Sequence, residues 1–142
     1  MGGANIPEKS ADLVIAMEVS EALKAVRFIK PGAGFLLFGH VWAPAAVTLG
    51  KADYPTLDQV RGRVQEARGK MHYLDPESLA LYEGALVPAN VFVLGAALGH
   101  TGLSDILDAS KVAHVVKTRW ARGVERNLFA FQSGLDALAQ EP

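Results

Sequence analysis

The chain has 142 residues and a mass of 15.1 kDa, with 14 Lys+Arg against 15 Asp+Glu and no cysteine. That is the length of one ordinary domain, and a net charge near zero excludes a long-range field steering nucleic acid or an anionic membrane. Half the residues are apolar, so the chain is globular; without thiolates it can hold neither a disulfide, a cysteine-ligated zinc nor an iron–sulfur cluster.

Met1 to Asp12 has no apolar core behind a basic patch, so no secretory signal is expected there. The most apolar stretch, Ala85 to Gly99, contains Pro88 and Asn90 and is shorter than the roughly 20 residues a membrane helix requires. It predicts a buried helix, and with the lack of cysteine it fits a cytoplasmic protein.

In chain order, Ala11 to Glu18 is a short apolar run ending in a carboxylate, the pattern of a strand buried on both faces. Ser20 reads as the N-cap of the helix that follows, with Glu21 in its first turn and Pro31-Gly32 as its stop. Gly34 to His40 predicts a second buried strand, and Val41 to Tyr54 a loop. Thr56-Leu57-Asp58-Gln59 has the form of a capping box, opening a polar helix that runs to about Arg68 and ends at Gly69. Met71 to Leu74 is a third strand, and Asp75-Pro76 opens another helix. From there only helices follow: Asn90 to Leu98, Ser104 to about Thr118, and Val124 to Leu138.

Strand–helix–strand–helix–strand predicts an α/β fold, a partial Rossmann-like parallel sheet of about three strands flanked by helices, with a helical C-terminal part. Doubly wound domains place a glycine-rich turn after their first strand, where a helix N-terminus holds phosphate. Here Glu18-Val19-Ser20-Glu21 follows the first strand, with no glycine and two negative charges. Either this is a later strand of such a sheet, so that the chain begins midway through a larger fold as a single domain that is its C-terminal portion, or the sheet is of another kind.

The chemical motifs are sparse. Gly62 to Lys70 lacks the glycine spacing of a phosphate loop, and Gly32-Ala33-Gly34 precedes a strand where a dinucleotide fingerprint must follow one. Gly95, Gly99 and Gly102 lie along a helix and its end, and the spacing of Gly95 to Gly99 reads as close helix packing. His40, His72, His100 and His114 have no carboxylate or second histidine at metal-ligand spacing, so no metal site is expected. His72 and His114 read as structural. His40 lies just past the end of a strand, where open α/β sheets bind ligands, and Glu18 occupies the equivalent place on the first strand, to cap a helix or orient a ligand. Asn90 is a polar residue in an apolar helix, read as a buried amide that ties down a loop or meets a ligand. Arg122 and Arg126, four apart, are expected on one helix face, with Lys111, Lys117 and Arg119 nearby, as a solvated face or subunit contact. Trp120 reads as an interface anchor or a core residue.

Ile6-Pro7, Ala11-Asp12-Leu13, Glu21-Ala22-Leu23-Lys24, Pro31-Gly32, Pro44, Val47, Gly50 and Tyr54-Pro55 stand in an order that, with Asn90-Val91, Leu94-Gly95-Ala96, Gly102-Leu103 and Asn127-Leu128 through Ala130-Phe131 to Gly134, resembles one family. This is the γ-type subunit or domain of 2-oxoacid:ferredoxin oxidoreductases, and the likeness is greatest to the small subunit of the indolepyruvate type. The resemblance covers Ile6 to about Leu138 but not the family's opening strand and Gly-Xaa-Gly-Gly-Gln-Gly turn, whose absence argues against a nucleotide-binding role. It implies membership of a complex that oxidatively decarboxylates a 2-oxoacid to an acyl-coenzyme A and reduces ferredoxin. It implies no cofactor on this chain: thiamine diphosphate, magnesium and iron–sulfur clusters are expected on a large partner subunit, because no cysteine and no Gly-Asp-Gly segment is present here. Glu18, His40 and Asn90 are the candidate ligand-contacting positions; no catalytic residue and no metal ligand is expected. In isolation the chain is expected to pair with itself. The rival expectation is a free-standing α/β module binding a nucleotide or acyl carrier.

Overall fold

The computed structural model describes residues 5–41, 50 and 53–137. Its elements are β1 (Ala11–Ala16), α1 (Val19–Ala25), a 3₁₀ turn (Val26–Phe28), β2 (Ile29–Phe38), α2 (Leu57–Glu66), β3 (Lys70–Leu74), a 3₁₀ turn (Pro76–Ser78), β4 (Leu81–Tyr82), β5 (Ala85–Leu86), α3 (Ala89–His100), a 3₁₀ turn (Gly102–Asp105), α4 (Ala109–Arg119) and α5 (Val124–Asp136). They fall into two compact units, 1–73 and 74–140 apart from the last two residues of the chain.

The first unit is α/β as the run pattern predicts, with a three-stranded parallel sheet in the order β1-β2-β3. Leu13, Val14, Ile15 and Ala16 stand opposite Gly34, Phe35, Leu36 and Leu37. Alternate residues of β2 point to opposite faces. Phe35 and Leu37 are fully buried and share one core with Val19, Ala22 and Val26, with Val60 and Val64 of α2, and with Met71. Leu36 and Phe38, on the other face, are also buried. Fully burying a side chain of this size stabilises by roughly 1.5–3 kcal/mol.

Pro31-Gly32 does not stop a helix. The helix ends at Ala25, the 3₁₀ turn swings Ile29 into the core at 1% exposure, and β2 starts there. Ala11 pairs with Ile29 but Leu13 with Gly34, so Lys30 to Ala33 form an irregularity in the ladder. Proline, which has no N–H to give a ladder, is tolerated where the ladder is broken, and Gly32 supplies the φ of +87°. The capping box is present in both directions: the Gln59 N–H donates to the Thr56 hydroxyl at 3.1 Å and the Thr56 N–H to Gln59 Oε1 at 2.8 Å.

In the second unit Asp75 does act as a cap, accepting from the Glu77 N–H, but the segment is a single 3₁₀ turn rather than a helix. β4 and β5 form a hairpin through Glu83 (φ 51°) and Gly84 (φ 82°), the two positive φ values of a tight hairpin turn. Tyr82 anchors it, with its ring 5.4 Å from that of Phe129 and its hydroxyl 3.2 Å from Glu125. The helix expected from Ser104 begins only at Ala109, because the Asp108 carboxylate accepts from the Ser110 N–H and starts it there. Arg122 lies before Gly123, the left-handed N-cap of α5, so Arg122 and Arg126 do not share a helix face; Arg126 donates to the Leu86 carbonyl instead. Trp120, at the end of α4, is 42% exposed and not in the core.

α3 and α5 cross at very short range. A Cβ on Gly95 would lie 2.1 Å from the Phe131 carbonyl oxygen, and one on Gly134 1.9 Å from that of Phe92. Only hydrogen at each position lets the two backbones meet, which is the close packing that the glycine spacing predicts.

Candidate functional site

The carboxyl end of the first unit's sheet carries Glu18, Gly39, His40 and Tyr54. Glu18 follows β1 in extended conformation, and Val19 opens α1, so Glu18 and not Ser20 is the N-cap. A carboxylate is well suited to this place because the first turn of a helix leaves its N–H groups unpaired and is partially positive. Glu18 Oε1 accepts from the Ser20 N–H at 2.7 Å, the Glu21 N–H at 3.3 Å and the Tyr54 phenol at 2.8 Å, and Oε2 accepts from the Ser20 hydroxyl at 2.8 Å. Burial pushes this carboxyl up, but the hydrogen bonds from the Ser20 side chain, Tyr54 and the two backbone N–H groups outweigh it and hold the pKa below the ordinary 4.5. Glu18 is therefore anionic at neutral pH, a shape-holding acceptor rather than a proton donor.

His40 is exposed, and its carbonyl accepts from the Val19 N–H at 3.0 Å. That bond ties the start of α1 to the end of β2, so the structure brings Glu18 and His40 to one edge. Between them in the fold is the buried Gly39, where a Cβ would lie 2.3 Å from the hydroxyl and ring of Tyr73. The Tyr73 ring can lie against the strand end only because residue 39 has no side chain. The loop expected over Val41 to Tyr54 lies almost wholly outside the described residues.

Asn90 belongs to the other unit. It stands in the first turn of α3, ahead of the buried run from Val91 to Val93, and is exposed rather than buried. Its Oδ1 accepts from the neighbouring Val91 N–H at 3.0 Å, so the amide serves its own helix start. Tyr54 and Tyr73 were not legible as site residues, since neither falls in a chemical motif and each acts through a contact distant in sequence. Among the described residues no group of three or more His, Asp or Glu is placed to hold a metal ion, and no helix is long and apolar enough to cross a membrane.

Against known proteins, the family model described as "Pyruvate ferredoxin/flavodoxin oxidoreductase" matches residues 2–137. The chain is 31% identical over 137 residues to the protein named indolepyruvate oxidoreductase subunit IorB of Thermococcus kodakarensis, a match covering 95% of this chain and 67% of that one. The same figures hold for the protein of that name from Pyrococcus horikoshii. For the one from Archaeoglobus fulgidus the identity is 29% over 129 residues, covering 91% of this chain and 64% of that one.

Proposed function

The chain belongs to the pyruvate ferredoxin/flavodoxin oxidoreductase family, and on that premise we propose that it is the small-subunit component of a 2-oxoacid:ferredoxin oxidoreductase in the cytoplasm, with indolepyruvate or a related aryl 2-oxoacid as substrate. The observation that carries this reading is the 31% identity, across 95% of the chain, to proteins named indolepyruvate oxidoreductase subunit IorB. Its part is assembly of the complex or shaping of the approach path for coenzyme A, with Glu18 and His40 at the sheet edge and Asn90 on α3 as the positions that meet ligand or partner.

Thiamine diphosphate, magnesium and iron–sulfur clusters are assigned to a large partner subunit. The residues of this chain do not fit them: clusters are held by thiolates, and the sequence has none. Magnesium holding a diphosphate requires converging oxygen ligands, and no such acidic group exists among the described residues. The chain's own contribution is positional. Glu18, locked by four donors, fixes where β1 ends and α1 begins, and so fixes the edge that His40 shares.

The test is to purify the chain from its own source and identify the polypeptides that accompany it. A brown complex with a large thiamine- and cluster-bearing chain, reducing ferredoxin with indolepyruvate and coenzyme A, is the expected result. Recovery of a lone 15 kDa protein inert in that assay would discard this reading in favour of a free-standing binding module.

A further inference from the structure

β3 is an outer strand of the first unit's sheet: among the described residues it has β2 on one side and no strand on the other. Such an edge presents a row of backbone N–H and C=O groups with which a further strand can pair. Beside it is a groove of about 520 Å³, lined by Gly69 to His72 on one wall and by Arg61, Val64 and Gln65 of α2 on the other. Successive side chains of a strand point to opposite faces, so a groove lined by consecutive residues of β3, and by none of β2, follows the open edge and not a face of the sheet. Arg61, Val64 and Gln65 are three and four apart and share one side of α2.

The chemistry of the groove is one-sided. Val64 and Met71 are buried and give it an apolar base, and no carboxylate lines it among the described residues. Lys70 is exposed, and water serves its ammonium. Arg61 is different. Its Nη1 donates to Asp58, which does not line the groove, at 2.7 Å, while its Nε is shut off from water and has no acceptor. A buried N–H left unpaired costs about 1–3 kcal/mol, and more on a charged group. A carboxylate entering the groove lets the guanidinium turn and present Nε and Nη2 together as a fork, with Nη1 left to Asp58.

We propose that an extended acidic segment of a partner protein docks along β3 as an added strand, its backbone pairing with the open edge and one of its carboxylates reaching Arg61. A groove between an edge strand and a helix is the form that strand addition uses: main-chain hydrogen bonds supply affinity, and side chains in the groove supply selectivity. Charge complementarity selects the occupant. A second copy of this chain would bring its own Lys70 to Leu74, which contains no carboxylate for Arg61 and sets lysine near lysine across the pair. The site is distinct from the Glu18–His40 edge and does not depend on the role proposed for the chain.

The experiment titrates the full chain into a fluorescent peptide of about eight residues alternating Asp and Val, followed by anisotropy. Two control peptides carry Lys in place of Asp, or two adjacent central prolines, which have no N–H to give a ladder. Saturable binding of the acidic peptide is expected, at least about tenfold tighter than either control, with slowed amide hydrogen exchange over residues 70–74 when it binds. Arg61→Gln gives up only an exposed pair with Asp58, so it is expected to melt as the parent does while weakening binding at least about tenfold. Arg63→Gln, on the same helix but outside the groove, is expected to bind as the parent does. No saturable binding, equal affinity for the Lys or the Pro peptide, protection confined to other residues, or binding unchanged in Arg61→Gln would overturn the proposal. So would a dimer in sedimentation whose residues 70–74 are already protected, which assigns the edge to a second copy.

Discussion

The Tyr54 phenol donates to Glu18 Oε1 at 2.8 Å, joining residues 36 positions apart. The bond links the end of β1 to the segment that leads into α2, and both elements contribute to the same core. Removing the hydroxyl leaves the carboxylate its nearer donors from Ser20 and Glu21 but cuts the long-range tie. A hydrogen bond to a charged group contributes roughly 1.5–3 kcal/mol, and partial exposure of this pair puts Tyr54→Phe at the lower end, about 1.5 kcal/mol. Urea denaturation checks this; a midpoint equal to that of the parent chain would show that the tie holds nothing.

Acid should act through the same carboxylate. The folded-state pKa of Glu18 is depressed: burial raises it, and the Ser20, Tyr54 and Glu21 donors together lower it further than burial lifts it. A depressed carboxyl contributes stability above its unfolded value of 4.5 and loses it as pH falls through the folded value. The parent chain is expected to destabilise below that pH more steeply than Glu18→Gln. Parallel unfolding curves for the two proteins across the acid range would contradict this.

Gly134 and Gly62 are expected to respond in opposite directions to alanine. At Gly134 the new Cβ meets the Phe92 carbonyl at 1.9 Å, and backbone cannot step aside as a side chain end can. The helices must separate, and Gly134→Ala should cost about 3 kcal/mol or more. Gly62 lies inside α2, and a methyl added there would find nothing within 4 Å, so Gly62→Ala should stabilise by about 0.5–1 kcal/mol. Thermal melts of the two single variants, followed by circular dichroism, decide both.

Thr56→Ala removes the hydroxyl that receives the Gln59 N–H at 3.1 Å and leaves an amide of the first turn without its cap. The expected loss is about 1 kcal/mol, with Thr56→Ser retaining most of the stability. Equal losses in the two variants would mean that the methyl packing, and not the cap, is what Thr56 supplies.

Local signals in the sequence were readable wherever a short pattern determines the backbone. The capping box is one, and the alternation of apolar runs with helix starts that yields the three strands is another. The helix-spaced glycines Gly95 and Gly99 are a third. Patterns failed where they were too short or where a rival acceptor lay nearby. β4 and β5 are two residues each, far below the length at which period-two alternation shows, and Glu83 in place of Asn or Asp hides the turn. Ser20 has the residue type of a cap, yet Glu18, two residues earlier, reaches the first-turn amides with a full charge. Asn90 adjoins an apolar run, but the end of a helix can face solvent while the next turn is enclosed. At the candidate edge, Glu18 and His40 were legible because strand ends can be located from composition. Tyr54 and Tyr73 were not, because their contacts depend on where the chain returns after long excursions.

The crossing of α3 with α5 closes off ordinary routes of change. Gly95 and Gly134 each face the other helix's carbonyl, so no single substitution at either position is compensated by a neighbour's rotamer. Two helices held this way behave as one inseparable piece, and sequence drift can accumulate around them but not between them. Any descendant that keeps this unit must keep both hydrogens, whatever becomes of its surface.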